Sequence, residues 1–151
     1  MRNKDGLIPN IHNAHLILER DPSWQGVFGY DQFTLGVVKR QPPPYPRAQV
    51  GEWTNYDTSR TLIWLQSVYG LNLKSPEVLL GAVSVLAQDR GYHPVRDWLE
   101  SLPAWDGVER LAYVFDDVLG ATEAYAGFAA RALMVAAVRR IYEPGCKVDE
   151  M

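Results

Sequence analysis

The segment from Arg90 to Arg96 carries residue types that suit contact with a nucleic acid. It reads Arg-Gly-Tyr-His-Pro-Val-Arg, with two arginines, a tyrosine and a histidine close together. Arginine binds phosphate oxygens, and aromatic rings stack on bases. We therefore take Arg90, His93 and Arg96 as candidate nucleic-acid contacts. The structural alternative is that Tyr92 and His93 pack a corner between two helices, while Arg96 pairs with Glu100 one turn further on.

A second basic stretch contributes three more candidate contacts. Between Asp31 and Glu52 there is no acidic residue, whereas Lys39, Arg40 and Arg47 occur there. The proline-rich run just before the last of these lacks the N–H groups that a sheet requires, which predicts an extended surface connector. A solvated loop is the default interpretation of such a connector, and DNA contact near the preceding strands is the alternative.

The sequence contains none of the short motifs that mark common catalytic sites. A phosphate loop G-x-x-x-x-G-K-[ST], a dinucleotide turn G-x-G-x-x-G, an H-E-x-x-H pair and a G-x-S-x-G elbow are all missing. His12 and His15 are three residues apart, but two ligands without a third make a poor metal site. Cys146 lies beside Lys147 without a nameable base, so we expect an inert thiol. We predict no catalytic residue, no metal site and no cofactor in this chain.

Length and charge indicate one ordinary domain. The chain has 151 residues, a net charge of -3 and a single cysteine, so it cannot form an intrachain disulfide. We expect residues 1–151 to form a single domain. Its start is polar, and no apolar run reaches the roughly 20 residues that span a bilayer, so we expect a cytoplasmic protein without a membrane partner. The acidic net charge means that any contact with nucleic acid must be local.

Helices and one hairpin must position these candidates. The β-branched and aromatic residues of 27–39 predict a hairpin around Asp31. Helical periodicity extends from about 57 to 142, after an earlier short helix that Asn10 caps. Asp57 is predicted to cap the next helix and Gly70 to end it. The predicted fold is α+β, mainly α: a helical bundle-like domain with one small N-terminal β-hairpin.

The last predicted helix, 123–142, is apolar on all sides. Its only charge between Ala124 and Ala137 is Arg131. A helix of this composition must be enclosed by the other helices or by a partner, and we expect it to be the central helix. Before it, Asp106 and Glu109 have the spacing of a capping box, which predicts that a helix begins near Asp106.

Four groups of residues follow one another over about a hundred positions of the chain. They are Trp53 with Asp57, His93-Pro94-Val95-Arg96 with Leu99, Trp105-Asp106-Gly107 with Arg110-Leu111, and Pro144-Gly145-Cys146-Lys147 with Asp149 and Met151. In this order they resemble the virulence-associated protein E family, prophage- and plasmid-encoded P-loop ATPases similar to the helicase half of phage primase-helicases. The order is far more specific than any single motif, and the hairpin with Phe28, Tyr30 and Phe33 is similar to the family's preceding region.

The resemblance implies that the chain precedes an ATPase core. In the family, the P-G-C-K-x-D segment leads into the phosphate loop, but Lys147 itself lacks the glycines of that loop. The chain is therefore expected to be a noncatalytic N-terminal portion, and ATP and magnesium are expected only in the full-length parent. The expected partners are the C-terminal ATPase domain, DNA and further copies of the same protein. The residues of these motifs that we take as family-motif or structural residues, and not as catalytic ones, are Trp105, Asp106, Gly107, Arg110, Pro144, Gly145, Cys146, Lys147 and Asp149.

Two other functions remain open from the sequence. One is a self-standing, winged-helix-like DNA-binding or regulatory module in which the hairpin serves as the wing. The other is a pure protein-interaction module with an exposed apolar surface.

Overall fold

The computed structural model describes residues 2–3, 6–121 and 124–148. The chain divides into two compact units, Met1–Pro94 and Val95–Met151, here called the first unit and the second unit. Within the described residues there are six α-helices and two small sheets. This confirms the predicted α+β, mainly α class. That residues 1–151 fold as one domain stays a prediction.

The first unit combines three helices with strands. Its helices are α1 (Ile11–Arg20), α2 (Asn55–Tyr69) and α3 (Pro76–Gln88), and a short 3-10 turn covers Pro22–Trp24. Its strands are β1 (Arg2–Asn3), β2 (Gly6–Leu7), β3 (Phe28–Asp31), β4 (Gly36–Lys39), β5 (Gly51–Glu52) and β6 (Gly91–Tyr92).

Side-chain caps determine where α1 and α2 begin. Asn10 Oδ1 accepts a hydrogen bond from the Asn13 N–H at 2.9 Å, as expected for the predicted cap. The cap of α2 is Thr54, whose hydroxyl accepts a hydrogen bond from the Asp57 N–H within a capping box. The prediction that Asp57 is the cap is therefore wrong, because Asp57 is the third residue of the helix. Gly70 ends α2 with φ 65°, as predicted.

The predicted hairpin is the centre of a four-stranded sheet. The strand order is β5-β4-β3-β6. Strands β3 and β4 pair antiparallel, with Phe28 opposite Lys39 and Asp31 opposite Gly36. Strand β6 lies parallel to β3, and β5 lies antiparallel to β4. Because a strand flanks it on each side, the hairpin does not project as the free wing of a winged-helix module.

Aromatic rings form the centre of the core of the first unit. Trp24 and Phe28 stack with their ring centroids 5.3 Å apart. Trp64 meets Trp24 edge-on at 5.4 Å, and Trp53 lies 5.7 Å from Phe28. Buried leucines, valines and alanines of the three helices surround these rings. One face of the sheet is thereby held against the helices.

The remaining helices are α4 (Pro94–Ser101), α5 (Val114–Leu119) and α6 (Ala124–Tyr142). Helix α4 begins at Pro94, as predicted. The prediction that a helix begins near Asp106 is wrong. The Asp106 carboxylate accepts a hydrogen bond from the Val108 N–H at 3.0 Å, and Gly107 has φ 82°, so the chain makes a tight turn here. Helix α5 starts only after this turn.

Helix α6 is largely exposed. Among its described side chains only Ala130 and Ala136 are buried, whereas Phe128 is 62% exposed and Val135 is 56% exposed. Within the second unit α6 is not enclosed, because α5, which packs against it, has only six residues and covers little of it. That α6 is the central helix among all the helices stays a prediction. That a partner covers α6 stays a prediction. In the described part of the chain, no helix has both the length and the apolar composition to cross a bilayer.

Candidate functional site

Lys39 of β4 is buried, although the sequence suggested an exposed DNA contact. Its side chain is 6% exposed, and its ammonium donates to the Asp57 carboxylate and, at 2.6 Å, to the Glu52 carbonyl oxygen. The Tyr45 hydroxyl and the Thr54 hydroxyl also donate to Asp57, each at 2.7 Å. A lysine held in this way is not accessible to a phosphate, so it is removed from the candidate contacts.

Hydrogen bonds set the ionisation of this buried cluster. Burial alone would raise the pKa of the Asp57 carboxyl, but hydrogen bonds from Lys39, Tyr45 and Thr54 outweigh burial and hold that pKa below its ordinary value. Burial, followed by the hydrogen bond to Asp57, raises the pKa of the Tyr45 hydroxyl. Asp57 is thus ionised and Tyr45 protonated at neutral pH, as in a structural network.

Arg40 lies on the face of the sheet opposite Lys39, because successive side chains of a strand alternate. Its guanidinium carbon is 4.7 Å from the centre of the Tyr92 ring on β6, which is a cation–π contact. Gly29 of β3 makes room for this contact. A Cβ atom at Gly29 would lie 2.8 Å from Arg40 Cδ and 3.4 Å from Tyr92 Cε1. The structure therefore brings Arg40 to the segment that begins at Arg90.

The turn of the hairpin reaches the same segment. Phe33 is 56% exposed, and its ring lies 5.8 Å from His93 in an edge-to-face arrangement. The Gln32 N–H donates to the Tyr92 carbonyl oxygen at 2.9 Å and so ties the turn to β6. Arg90, directly before β6, is half-buried. We call Phe33, Arg40, Tyr92 and His93 the β6 cluster, because Arg40 contacts Tyr92 of β6 and Phe33 contacts His93, the next residue. Arg90 adjoins the cluster in the chain.

The two other candidate arginines have different surroundings. Arg47 is exposed, has φ 61° and, together with Tyr56, lines an open cavity of about 430 Å³ in the first unit. Arg96 belongs to the second unit. Its Nη2 donates to the Ile141 carbonyl oxygen at 3.1 Å, and its guanidinium lies 5.5 Å from the centre of the Tyr142 ring. These contacts tie α4 to the end of α6.

The structure adds Phe33, Tyr92 and Gly29 to the site residues chosen from the sequence. Phe33 could have been predicted from the sequence, because an aromatic residue between glutamine and threonine in a turn is not expected to be buried in the core. The pairing that brings Tyr92 to Arg40 could not have been predicted from the sequence. Strand β6 has only two residues, which is too short to show the alternation that indicates a strand.

The W-D-G motif of the second unit forms a self-contained loop. The Arg110 guanidinium donates to the Asp106 carboxylate at 2.9 and 2.6 Å, and this contact lowers the pKa of Asp106. Trp105 Nε1 donates to the Val108 carbonyl oxygen at 3.1 Å. Trp105 is nevertheless 76% exposed. The motif therefore acts as a scaffold that presents an indole ring to solvent.

The P-G-C-K motif forms a turn after α6. The Cys146 N–H donates to the Glu143 carbonyl oxygen at 3.1 Å, and Gly145, preceded by proline, has φ 86°, which is typical of a type II turn. The turn places Lys147 along a groove of α6. Within the described residues, Lys147 follows this turn and is not part of a glycine-rich loop that opens a helix. Asp149 lies outside the described residues.

An open groove of about 430 Å³ runs along one face of α6. Two of its cations form exposed ion pairs, Arg131 with Glu109 and Arg139 with Glu143. Exposed pairs contribute little to stability, so these arginines can change partners. A neighbouring cavity of about 640 Å³ shares Arg131 and Val135 and borders the W-D-G loop. The α6 groove is lined by Phe128, Arg131, Ala132, Val135, Ala136, Arg139, Lys147 and Val148.

Metal-ligating residue types do not converge in the described part of the chain. No group of three or more His, Cys, Asp or Glu side chains there could hold a metal ion. His15 lies 4.0 Å from Glu19, His12 is exposed and Cys146 is half-buried.

Comparison with known proteins gives a family match. Residues 99–151 match the family model of the virulence-associated protein E-like domain, the family that the ordered motifs resemble. The match covers about a third of the chain and includes the W-D-G loop, the P-G-C-K turn and the α6 groove. No curated protein sequence matches the chain. The similarity therefore concerns the second unit.

Proposed function

We propose that this chain is the noncatalytic N-terminal part of a helicase-like P-loop ATPase of the virulence-associated protein E family, a cytoplasmic DNA replication protein of a mobile element. The second unit packs against the ATPase core, and the first unit guides DNA. The α6 groove is the observation that carries this proposal. It is open, apolar and basic, and it lies within the residues that are similar to the family.

Exposed apolar side chains of the second unit support a docking role. Trp105, Phe128 and Val135 are each more than half exposed. Single apolar residues on a surface are normal, but a contiguous patch is typical of an interaction site. Its burial would contribute roughly 25 cal/mol for each Å² removed from water. Contact with a partner would therefore be favourable.

The charges of the groove indicate the chemistry of the partner surface. Arg131, Arg139 and Lys147 flank the apolar Phe128 and Val135. A complementary surface presents apolar side chains bordered by acidic ones. A second copy of this chain would present the same three cations, and the acids beside two of them, Glu109 and Glu143, are already paired within the chain. The groove is therefore less complementary to its own copy than to an apolar surface with free acids. We therefore assign the groove to the ATPase core and not to self-association.

Titration of the chain with the ATPase core encoded in the same reading frame tests this assignment. We expect a one-to-one complex that Val135→Glu weakens about tenfold or more, because the carboxylate enters the apolar strip of the groove. Val50→Glu is the matched control, since Val50 is 60% exposed but lies in the first unit. Absence of a complex, equal weakening by both variants, or dimers of the chain that Val135→Glu dissociates would contradict the proposal.

The β6 cluster supports the second part of the proposal. It combines an exposed arginine on a tyrosine ring with an exposed phenylalanine. The same observation would also fit a self-standing DNA-binding module. The reading frame distinguishes the two, because the proposal requires a G-x-x-x-x-G-K-[ST] motif within a few dozen codons after Met151.

A further inference from the structure

We infer that the β6 cluster binds single-stranded nucleic acid, with bases stacking on Phe33 and on the guanidinium of Arg40. This inference rests on the DNA-guiding part of the proposed function and names its substrate. Its basis is the position of Arg40 over Tyr92, together with the exposed Phe33 ring against His93, the residue that follows Tyr92.

Arg40 is held in an orientation that suits stacking. Its guanidinium lies over the Tyr92 ring, and the side chain is exposed. No carboxylate of the described residues forms an ion pair with it. A guanidinium is planar, so its outer side can stack on a base while its N–H groups bind a phosphate.

Phe33 is held in place by its turn. The Asp31 carboxylate accepts hydrogen bonds from the Phe33 N–H at 2.8 Å and the Thr34 N–H at 3.1 Å. His93 supports one edge of the Phe33 ring. Little conformational entropy is then lost when a base stacks on this ring. The carboxylate of Asp31 is engaged by the turn, which limits its repulsion of a phosphate.

The small number of cations favours a single strand over a duplex. Arg40 and Arg90 are the cations of this region that are not bound to a carboxylate in the described residues, and the protein carries a net charge of -3. Proteins that track a duplex backbone make about 6–10 phosphate contacts. Bases inside a duplex are also stacked on each other and cannot reach Phe33.

Fluorescence anisotropy with a labelled oligothymidine strand, and with a duplex of equal length, tests the inference on the whole chain. We expect the strand to bind more tightly than the duplex. The slope of log K against log salt should be about -1.4, which is about -0.7 for each of two neutralised phosphates. A duplex preference would overturn this inference but leave DNA guidance intact, whereas binding to neither would overturn both.

Two pairs of variants locate the binding site. Phe33→Ala should weaken strand binding about fivefold or more, whereas Leu35→Ala, at a 72% exposed position of the same turn, should not. Arg40→Ala should weaken binding, whereas Arg60→Ala should not, although Arg60 lies 5.2 Å from the Tyr56 ring in a similar pair on α2. Binding that is insensitive to both Phe33→Ala and Arg40→Ala would exclude the β6 cluster as the binding site.

Gly29→Ala provides an independent test, because it removes no contacting side chain. Its Cβ would displace Arg40, whose flexible chain lies 2.8 Å from that position. We expect weaker binding of the oligothymidine strand and a near-normal free energy of unfolding. The slope of log K against log salt should be less steep than for the wild type. Unchanged binding would show that the position of Arg40 over Tyr92 has no part in recognition.

Discussion

The Lys39 ammonium and the Asp57 carboxylate form a buried ion pair that joins strand β4 to the first turn of α2. Asp57 also accepts hydrogen bonds from Tyr45 and Thr54, so one carboxylate connects the sheet, the proline-rich connector and the helix. Arg40 directly follows Lys39, the last residue of β4, and its N–H donates to the Val27 carbonyl oxygen. The anchoring of Lys39 on the core side therefore directs the Arg40 side chain to the opposite side, where it contacts Tyr92.

Asp57→Asn should lower the free energy of unfolding by about 3–5 kcal/mol, because it leaves the Lys39 ammonium buried without its anion. Urea denaturation of the variant measures this change. Asp106→Asn is the control, since the ion pair of Asp106 with Arg110 is exposed and should contribute nothing measurable. Equal stabilities of the two variants would contradict a stabilising role for the buried pair.

The stability of the protein should fall in acid in a way that depends on Asp57. The pKa of Asp57 is lower in the folded protein than its ordinary value of 3.8, so the unfolded chain binds the proton more readily. The contribution of Asp57 is therefore fully present above that value and is lost as the pH falls through the folded pKa. Denaturant unfolding from about pH 6 to about pH 3 should show a smaller loss of stability for Asp57→Asn than for the wild type. The pKa of Asp21 is also lowered, but Asp21 contributes equally to the stability of the wild type and of Asp57→Asn at each pH. Parallel curves of stability against pH for the two proteins would therefore contradict the role of Asp57.

Gly127→Ala should destabilise the second unit. A Cβ atom at Gly127 of α6 would lie 2.7 Å from the Ala112 carbonyl oxygen, so the backbone segment before α5 would have to move. We expect a loss of about 1–3 kcal/mol in the free energy of unfolding, although alanine favours a helix more than glycine does.

Gly81→Ala in α3 is the matched control for Gly127→Ala. Its Cβ would meet only the flexible end of Ile11 at 2.9 Å. This variant should be nearly neutral in urea denaturation. If Gly127→Ala were stabilising, the close approach of α6 to Ala112 would be refuted.

Residues 1–151 should unfold in one cooperative transition if they form the single domain that the sequence predicts. In the double variant Trp98→Phe/Trp105→Phe, the remaining tryptophans all lie in the first unit, so fluorescence reports on that unit. Circular dichroism reports on all helices. Coincident transitions would support one domain, and separate transitions would show that the two units unfold independently.

Local signals in the sequence predicted much of the fold. The caps at Asn10 and Gly70, the start of α4 at Pro94 and the hairpin each depend on neighbouring residues, and all were predicted correctly. The Asp106 error has a local cause as well, because an Asp before glycine suits a tight turn as well as a helix cap.

Features that depend on distant residues could not be predicted. The burial of Lys39 requires Asp57, and the orientation of Arg40 requires Tyr92 and Gly29, which come together only when β4, β3 and β6 pair. The apolar composition of α6 indicated a need for burial, but composition does not say whether this chain or another surface provides it.

The heat-capacity change on association of the chain with its ATPase core tests the docking of the second unit most directly. Burial of the apolar α6 groove predicts a clearly negative heat-capacity change, measured by calorimetric titration at several temperatures. Val135→Glu should make this change much smaller, and Val50→Glu should leave it unaltered. A change near zero in the wild-type complex, or one that Val135→Glu does not alter, would contradict docking through this groove.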